Sequence, residues 1–132
     1  MIGVDTNVLV RVAVRDDTAE TKAAQAFLAA RSSEDPAFVS TVVIAELAWV
    51  LDRSYGFAHA AVHDVLEWVM ESSNIVIERA ELVDRAVAHA REARAGIADC
   101  VIAALAAEAG AIKTVTFDKT AAKRVPSMEL LP

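Results

Sequence analysis

The sequence predicts an α/β fold with a mainly parallel central sheet. Three observations lead there. Short apolar stretches of strand length alternate with longer helical patterns along the whole chain. Hydrophobic residues make up 55% of the 132, enough to build the core of one ordinary domain, taken here as residues 1–132. Many of these are Ala, the strongest helix former, so helices should dominate.

The elements follow in order. Residues 2–5 read as a short apolar strand with Asp5 at its end. Helical patterns occupy 6–13 and 18–31. Residues 37–40 are a second strand, introduced by Pro36. Thr41 to Arg53 is a strongly apolar helix, the Tyr55–Gly56–Phe57 stretch is a break, and 59–71 is another helix. Residues 75–77 are a strand. The segment 81–94 is amphipathic, with Leu82, Val83, Ala86, Val87, Ala90 and Ala93 on one side. Residues 98–109 are apolar almost all round and are expected to be buried, with Gly110 as terminator. Thr114–Thr116 and Met128–Leu130 read as the last strands. In parallel sheets the reactive crevice lies at the carboxyl ends of the strands, which puts Asp5 and Asp118 on the same edge.

Composition narrows the function. A net charge of −6 argues against a protein coated in basic charge for nucleic acid, while leaving room for a small basic rim. The single cysteine, Cys100, can form no intrachain disulfide, which fits a reducing cytosol. The start of the chain lacks the pattern of a signal peptide, and no stretch has the length and apolarity of a membrane span. The expectation is a cytoplasmic protein with no membrane association.

Most of the acidic residues read as solvated faces or helix starts, among them Asp16, Asp17, Glu20, Glu34, Asp35, Glu81, Asp84 and Glu92. Four stand apart because they interrupt apolar runs: Asp5 after Met-Ile-Gly-Val, Glu46 within Val-Val-Ile-Ala-Glu-Leu-Ala-Trp, Asp99 before Cys-Val-Ile-Ala-Ala-Leu, and Asp118 after Thr-Val-Thr-Phe. A carboxylate in apolar surroundings is costly unless paired, and these runs hold no matching Arg or Lys. Clustered carboxylates without cations repel one another. A divalent cation relieves both problems, and Mg²⁺ or Mn²⁺ takes hard oxygen ligands. The chemistry that follows is metal-activated water attacking a phosphodiester.

Asp5-Thr6-Asn7 after a short strand, Ala45-Glu46 in an apolar helix, Ile97-Ala98-Asp99 opening another, and Thr116-Phe117-Asp118 resemble the PIN domain. The likeness runs over essentially the whole chain and is nearest to the VapC toxins of bacterial toxin–antitoxin pairs. The resemblance implies a three-layer α/β/α fold and a Mg²⁺- or Mn²⁺-dependent endoribonuclease inhibited by a cognate antitoxin protein, with a homodimer as the expected assembly. It further implies Asp5 and Asp99 as principal metal ligands, Asp118 completing the metal site, Glu46 positioning or activating the attacking water, and Asn7 and Thr116 supporting the acids. Many relatives carry a further acid three residues before the aspartate matching Asp99; here Gly96 stands there, which puts a second tightly held metal in doubt.

Other residues carry weaker signals. Lys119, Lys123 and Arg124 follow Asp118 and can contact an RNA backbone, with Arg11, Arg15 and Arg94 near the same rim. His59 and His63 have zinc-ligand spacing but no intervening catalytic Glu, and read as a solvated helix face. Cys100 reads as a small buried hydrophobe, and His89 as a surface residue. Trp49, Tyr55, Phe57 and Trp68 gather around one break and serve either the core or an apolar groove for an antitoxin helix or second subunit. Two rival readings remain. A phosphotransfer protein, phosphatase or receiver-like, also places an Asp at a strand end, but Asn7 stands where the phosphatase has its second Asp and Lys113 precedes its strand. A non-catalytic PIN-like binding module would be expected to have lost some of the four acids.

Overall fold

The computed structural model describes residues 1–16 and 18–132; Asp17, read above as a surface acid, lies outside the described residues. The chain forms two compact units, residues 1–80 and 81–132.

The first unit contains β1 (Ile2–Gly3), α1 (Thr6–Val14), α2 (Ala19–Ala29), β2 (Ala37–Val39), α3 (Thr41–Arg53), α4 (His59–Glu71) and β3 (Ile75–Ile77). The strands form one parallel sheet in the order β1-β2-β3, with Ile2 opposite Ala37 and Ala37 opposite Ile75. Parallel strands need crossover connections, and here each is supplied by a pair of helices. Helix α1 packs on α2 and α3, and α3 on α4. Leu9, Val39, Ile44, Leu47, Leu51 and Leu66 are fully buried, each contributing about 1.5–3 kcal/mol of transfer free energy.

Local chemistry sets the helix limits. The Ser40 hydroxyl accepts from the Val43 N–H at 3.2 Å, and Glu78 Oε1 accepts from the Thr41 N–H at 2.9 Å and the Thr41 hydroxyl at 2.8 Å. The residue after β3 thus ties down the start of α3. At the other end Gly56, at φ 65°, lets the chain leave the helix: its N–H donates to the Asp52 carbonyl and that of Phe57 to the Leu51 carbonyl, each at 3.0 Å. Both ends of α3 are therefore fixed.

The second unit contains α5 (Ala80–Ala93), which starts at the boundary, α6 (Ile97–Glu108), β4 (Thr114–Thr116), α7 (Lys119–Arg124) and β5 (Met128–Leu130). Strands β4 and β5 are parallel, with Thr114 opposite Met128. Helix α5 buries Leu82, Val83, Ala86, Val87 and Ala90, as its periodicity predicts, with Ala93 half-buried. Arg124 donates to the Arg94 carbonyl at 2.8 Å, tethering α7 to the end of α5.

The helix-rich α/β class with parallel strands is as expected, and three details differ. Strand β1 ends at Gly3, so Asp5 is the N-cap of α1 rather than the last strand residue. Helix α6 buries Ile97, Cys100, Val101 and Ala103 but leaves Ile102 and its last turn exposed; a run of Ala counts as apolar yet loses little in water. His63 is buried, not on a solvated face, and stacks at a tilt against exposed His59 with ring centroids 4.5 Å apart. Among the described residues no helix is long and apolar enough to cross a membrane.

Candidate functional site

Each unit repeats one local construction: a parallel strand, one residue, then an aspartate that caps the next helix. In the first unit Asp5 follows β1 and its carboxylate accepts from the Thr6 N–H at 2.8 Å. In the second, Asp118 follows β4 and accepts from the Ala121 N–H at 3.0 Å, while its own N–H donates to the Thr116 hydroxyl at 3.0 Å. A capping carboxylate needs one oxygen for the helix, which leaves the other for a ligand. Both side chains are exposed.

Asp5 lines a cleft of about 230 Å³ with Thr6, Asn7, Arg11, Glu46 and Tyr55; Val10 and Val50 supply its apolar lining. All of these residues belong to the first unit. The structure thus brings Asp5, Asn7 and Glu46 together. Glu46 reaches the cleft because α3 has two different faces. Thr41, Ile44, Leu47, Ala48 and Leu51 are buried, whereas Val42, Glu46 and Trp49, spaced one helical turn apart, are exposed. The expectation of a carboxylate immersed in apolar surroundings is corrected here: the apolar neighbours in sequence point elsewhere.

Arg11 is the one cation among these lining residues. It is held by Asp16 at 2.9 Å and by Glu20 at 3.1 Å. Asp16 also accepts from the Thr18 hydroxyl at 3.1 Å and from the Thr21 hydroxyl. The Thr21 contact, aided by Thr18 and Arg11, holds the Asp16 carboxyl below the usual range. Asp16 is therefore the hub of a small network between α1 and α2 rather than a solvated acid. Thr6 also lines the cleft; its hydroxyl is buried and has no hydrogen-bond partner among the described residues.

Asp99 and Asp118 belong to the second unit. Asp99 is half-buried in the first turn of α6. Its Oδ2 lies 2.8 Å from where a Cβ on Gly96 would stand. The absent side chain at position 96 is what lets the Asp99 carboxylate fold back over the start of its helix. The negative charge of Asp99 adds to burial in pushing the neighbouring Cys100 thiol up to about 11, burial being the larger cause. Cys100 is buried, as a small hydrophobe should be. Lys119 and Lys123 are exposed one turn apart on α7, and Arg15 is exposed at the end of α1. His89 is half-buried rather than a surface residue, and its Nε2 has no hydrogen-bond partner among the described residues. Of the aromatic group, Trp49, Tyr55 and Trp68 are exposed and Phe57 half-buried, so core packing does not account for them.

Sequence reasoning missed two contributors. Tyr55 was read only for packing or partner docking, although its place just beyond α3 brings it beside Asp5 and Glu46. Glu78 gave no signal at all, because its role depends on Thr41, far away in sequence.

The profile of the PIN domain family matches residues 2–126. The chain belongs to the PIN domain family. PIN domains are generally metal-dependent nucleases that bind divalent ions and act on nucleic acids. A search of curated proteins returns no significant match.

The donor set of this PIN domain fits such an ion. Two carboxylates and an amide line the cleft, with no sulfur or imidazole among the lining residues. Among the described residues no three His, Cys, Asp or Glu side chains are gathered around a common point. Asp5 offers one hard carboxylate there, and Mg²⁺ takes one or two, keeping several waters and sharing its shell with substrate phosphates.

Proposed function

We propose that this PIN domain is a Mg²⁺- or Mn²⁺-dependent endoribonuclease and the toxin of a toxin–antitoxin pair, active in the cytoplasm. The observation that carries the nuclease reading is the cleft in which Asp5 and Glu46 stand together with Asn7 and Arg11. The family match runs through both units, which supports reading residues 1–132 as one domain.

In this reading Asp5, Asp99 and Asp118 would hold the ion, the roles that the family resemblance implies for them. When bound, the ion lowers the pKa of a coordinated water and neutralises charge developing on the phosphate. Glu46 accepts a hydrogen bond from the attacking water, orienting it and drawing off its proton. Asn7 and Thr116 support the acids: Asn7 from the cleft wall, Thr116 through the Asp118 N–H. Lys119 and Lys123 contact the RNA backbone, as phosphate contacts that position without reading sequence. Arg124, given the same role, must do so while bonded to the Arg94 carbonyl. A cognate antitoxin protein restrains the enzyme, and the active assembly is a homodimer.

The test is direct. Purified protein is incubated with total cellular RNA in Mg²⁺, in Mn²⁺ and in EDTA, and the cut sites are mapped. Cleavage is expected with either metal and not with EDTA. Asp5→Asn and Asp99→Asn should each lower it by at least on the order of 10²-fold, the scale for losing one group that stabilises charge in the transition state. Cleavage that survives EDTA or Asp5→Asn would overturn the assignment. The toxin role is read from growth: induction should arrest colonies, Asp5→Asn should relieve the arrest, and the product of a neighbouring small open reading frame should copurify. Normal growth on induction with no copurifying partner refutes the toxin role and leaves the nuclease reading to the RNA assay.

A further inference from the structure

The cleft holds one residue that the hydrolytic reading leaves without work. Tyr55 is 42% exposed, yet it lines the same cleft as Asp5 and Glu46. An exposed aromatic ring beside reactive carboxylates is an unusual placement for a residue needed only for packing. Its backbone is fixed on both sides: Ser54, the C-cap of α3, stands immediately before it, and the two hydrogen bonds closed around Gly56 pin the turn that carries it. Val10 and Val50 continue the apolar lining, and Arg11 is held in place by Asp16 and Glu20. A cleft of about 230 Å³ is smaller than an ordinary drug-sized pocket.

We propose that Tyr55 is a substrate-binding residue whose ring stacks on one unpaired base of the RNA, next to the phosphate seated at Asp5 and Glu46. An aromatic face is sequence-tolerant, because every base has a π-face. Splayed, unstacked bases are the part of RNA that proteins grip in this way. The ring acts through its face rather than its hydroxyl, so Phe should replace it and Ala should not. Gly56 is a positioning residue for it, since a side chain at φ 65° strains the turn. This inference rests on the nuclease reading of the same cleft and adds a base-contacting residue to it.

The experiment uses the full chain with EDTA present and three fluorescein-labelled probes: 12-nucleotide oligo-uridine, 12-nucleotide oligo-adenosine, and a 12-base-pair RNA duplex. Binding is read by anisotropy, and cleavage of the two single strands is followed separately with Mg²⁺. Tyr55→Ala should weaken both single strands by roughly 5- to 150-fold, the range for losing one base–aromatic stack. Tyr55→Phe should stay within about twofold of the unaltered protein on the same scale, and the duplex should bind weakly to all three proteins. In cleavage, the loss should appear mainly in KM. Melting curves for each variant establish that the fold is intact, as expected for an exposed side chain. Single-strand binding unchanged by Tyr55→Ala overturns the proposal, as it would if the ring served a protein partner instead. Equal loss in Tyr55→Ala and Tyr55→Phe also overturns it, because the hydroxyl would then be the contact. Metal-dependent cleavage with no effect of Tyr55→Ala refutes stacking and spares the nuclease reading. Neither binding nor cleavage by the unaltered protein refutes both.

Discussion

Two adjacent residues of α3 should separate function from stability. Glu46 is exposed at the cleft; Leu47, next in the chain, is fully buried. Glu46→Gln keeps the shape and removes the charge and basicity. Surface substitutions of this kind stay within about 0.5 kcal/mol, so the melting temperature should hardly move. Cleavage should fall on the order of 10²–10⁴-fold, the usual worth of a positioned general base. Leu47→Ala does the reverse. It removes a side chain with no exposed surface, and such truncations cost about 2–5 kcal/mol through lost transfer and the cavity left behind. At roughly 4 °C per kcal/mol for a chain of this size, the melting temperature should drop by roughly 8–20 °C. Activity per folded molecule, measured well below that temperature, should stay within a few-fold. The assays are thermal unfolding by circular dichroism and cleavage of total RNA with Mg²⁺, on the same preparations. An active Glu46→Gln protein would refute the assignment of Glu46. A Leu47→Ala protein with unchanged melting would refute the packing of α3.

Three further outcomes follow from individual contacts. Gly96→Ala puts a Cβ 2.8 Å from Asp99 Oδ2; the flexible carboxylate yields, so cleavage should fall while melting is unchanged or rises by the small gain of a less free unfolded chain, about 0.4–1 kcal/mol. Unchanged cleavage would mean that the folded-back Asp99 carboxylate has no role. Glu78 is held below the usual glutamate value, first by the Thr41 N–H and then by the Thr41 hydroxyl. A lowered folded value contributes stability that is complete above the unfolded value and is lost as pH falls through the folded one, so Glu78→Gln should flatten the acid limb of a melting-temperature profile and leave the neutral region with a smaller, pH-independent loss; an unaltered acid limb refutes this. Cys100, buried and pushed up to about 11, should resist iodoacetamide at pH 8 in the native protein and react promptly once unfolded; fast native alkylation would contradict its burial.

Much of the fold was legible because its signals are local. The limits of α3 and α4 and the strands 75–77, 114–116 and 128–130 coincide with the observed elements, since Ser, Gly and Pro punctuate them and apolar residues fill them. The capping aspartates were legible as residue types, and Asp118 fits a strand-to-helix turn. Whether a side chain faces the core was harder to read. Helix α3 carries apolar residues on both faces, Val42 and Trp49 outside and Ile44 and Leu47 inside, so polarity gave no period by which to orient Glu46. His63 looked solvated because it is polar, yet it occupies a buried position on α4 beside Val62 and Leu66. Arg11 reads in sequence as a charge near the rim of RNA-contacting residues, and only the fold brings Asp16 and Glu20 to it. Long-range pairs such as Glu78 with Thr41 have no signature in one sequence.

The pairing of Arg11 with Asp16 and Glu20 bears on how RNA reaches this protein. A guanidinium already neutralised by two carboxylates has little field to project, and the chain as a whole carries −6. Arg11 then releases few counterions from docking RNA, so the fall of affinity as potassium chloride is raised should be set by Lys119, Lys123 and Arg124 and stay short of that of a basic nucleic-acid binder. Encounter is not hastened by long-range attraction. Under the proposed ribonuclease function, substrate has to be retained by short-range contact at the cleft, and association should be slow.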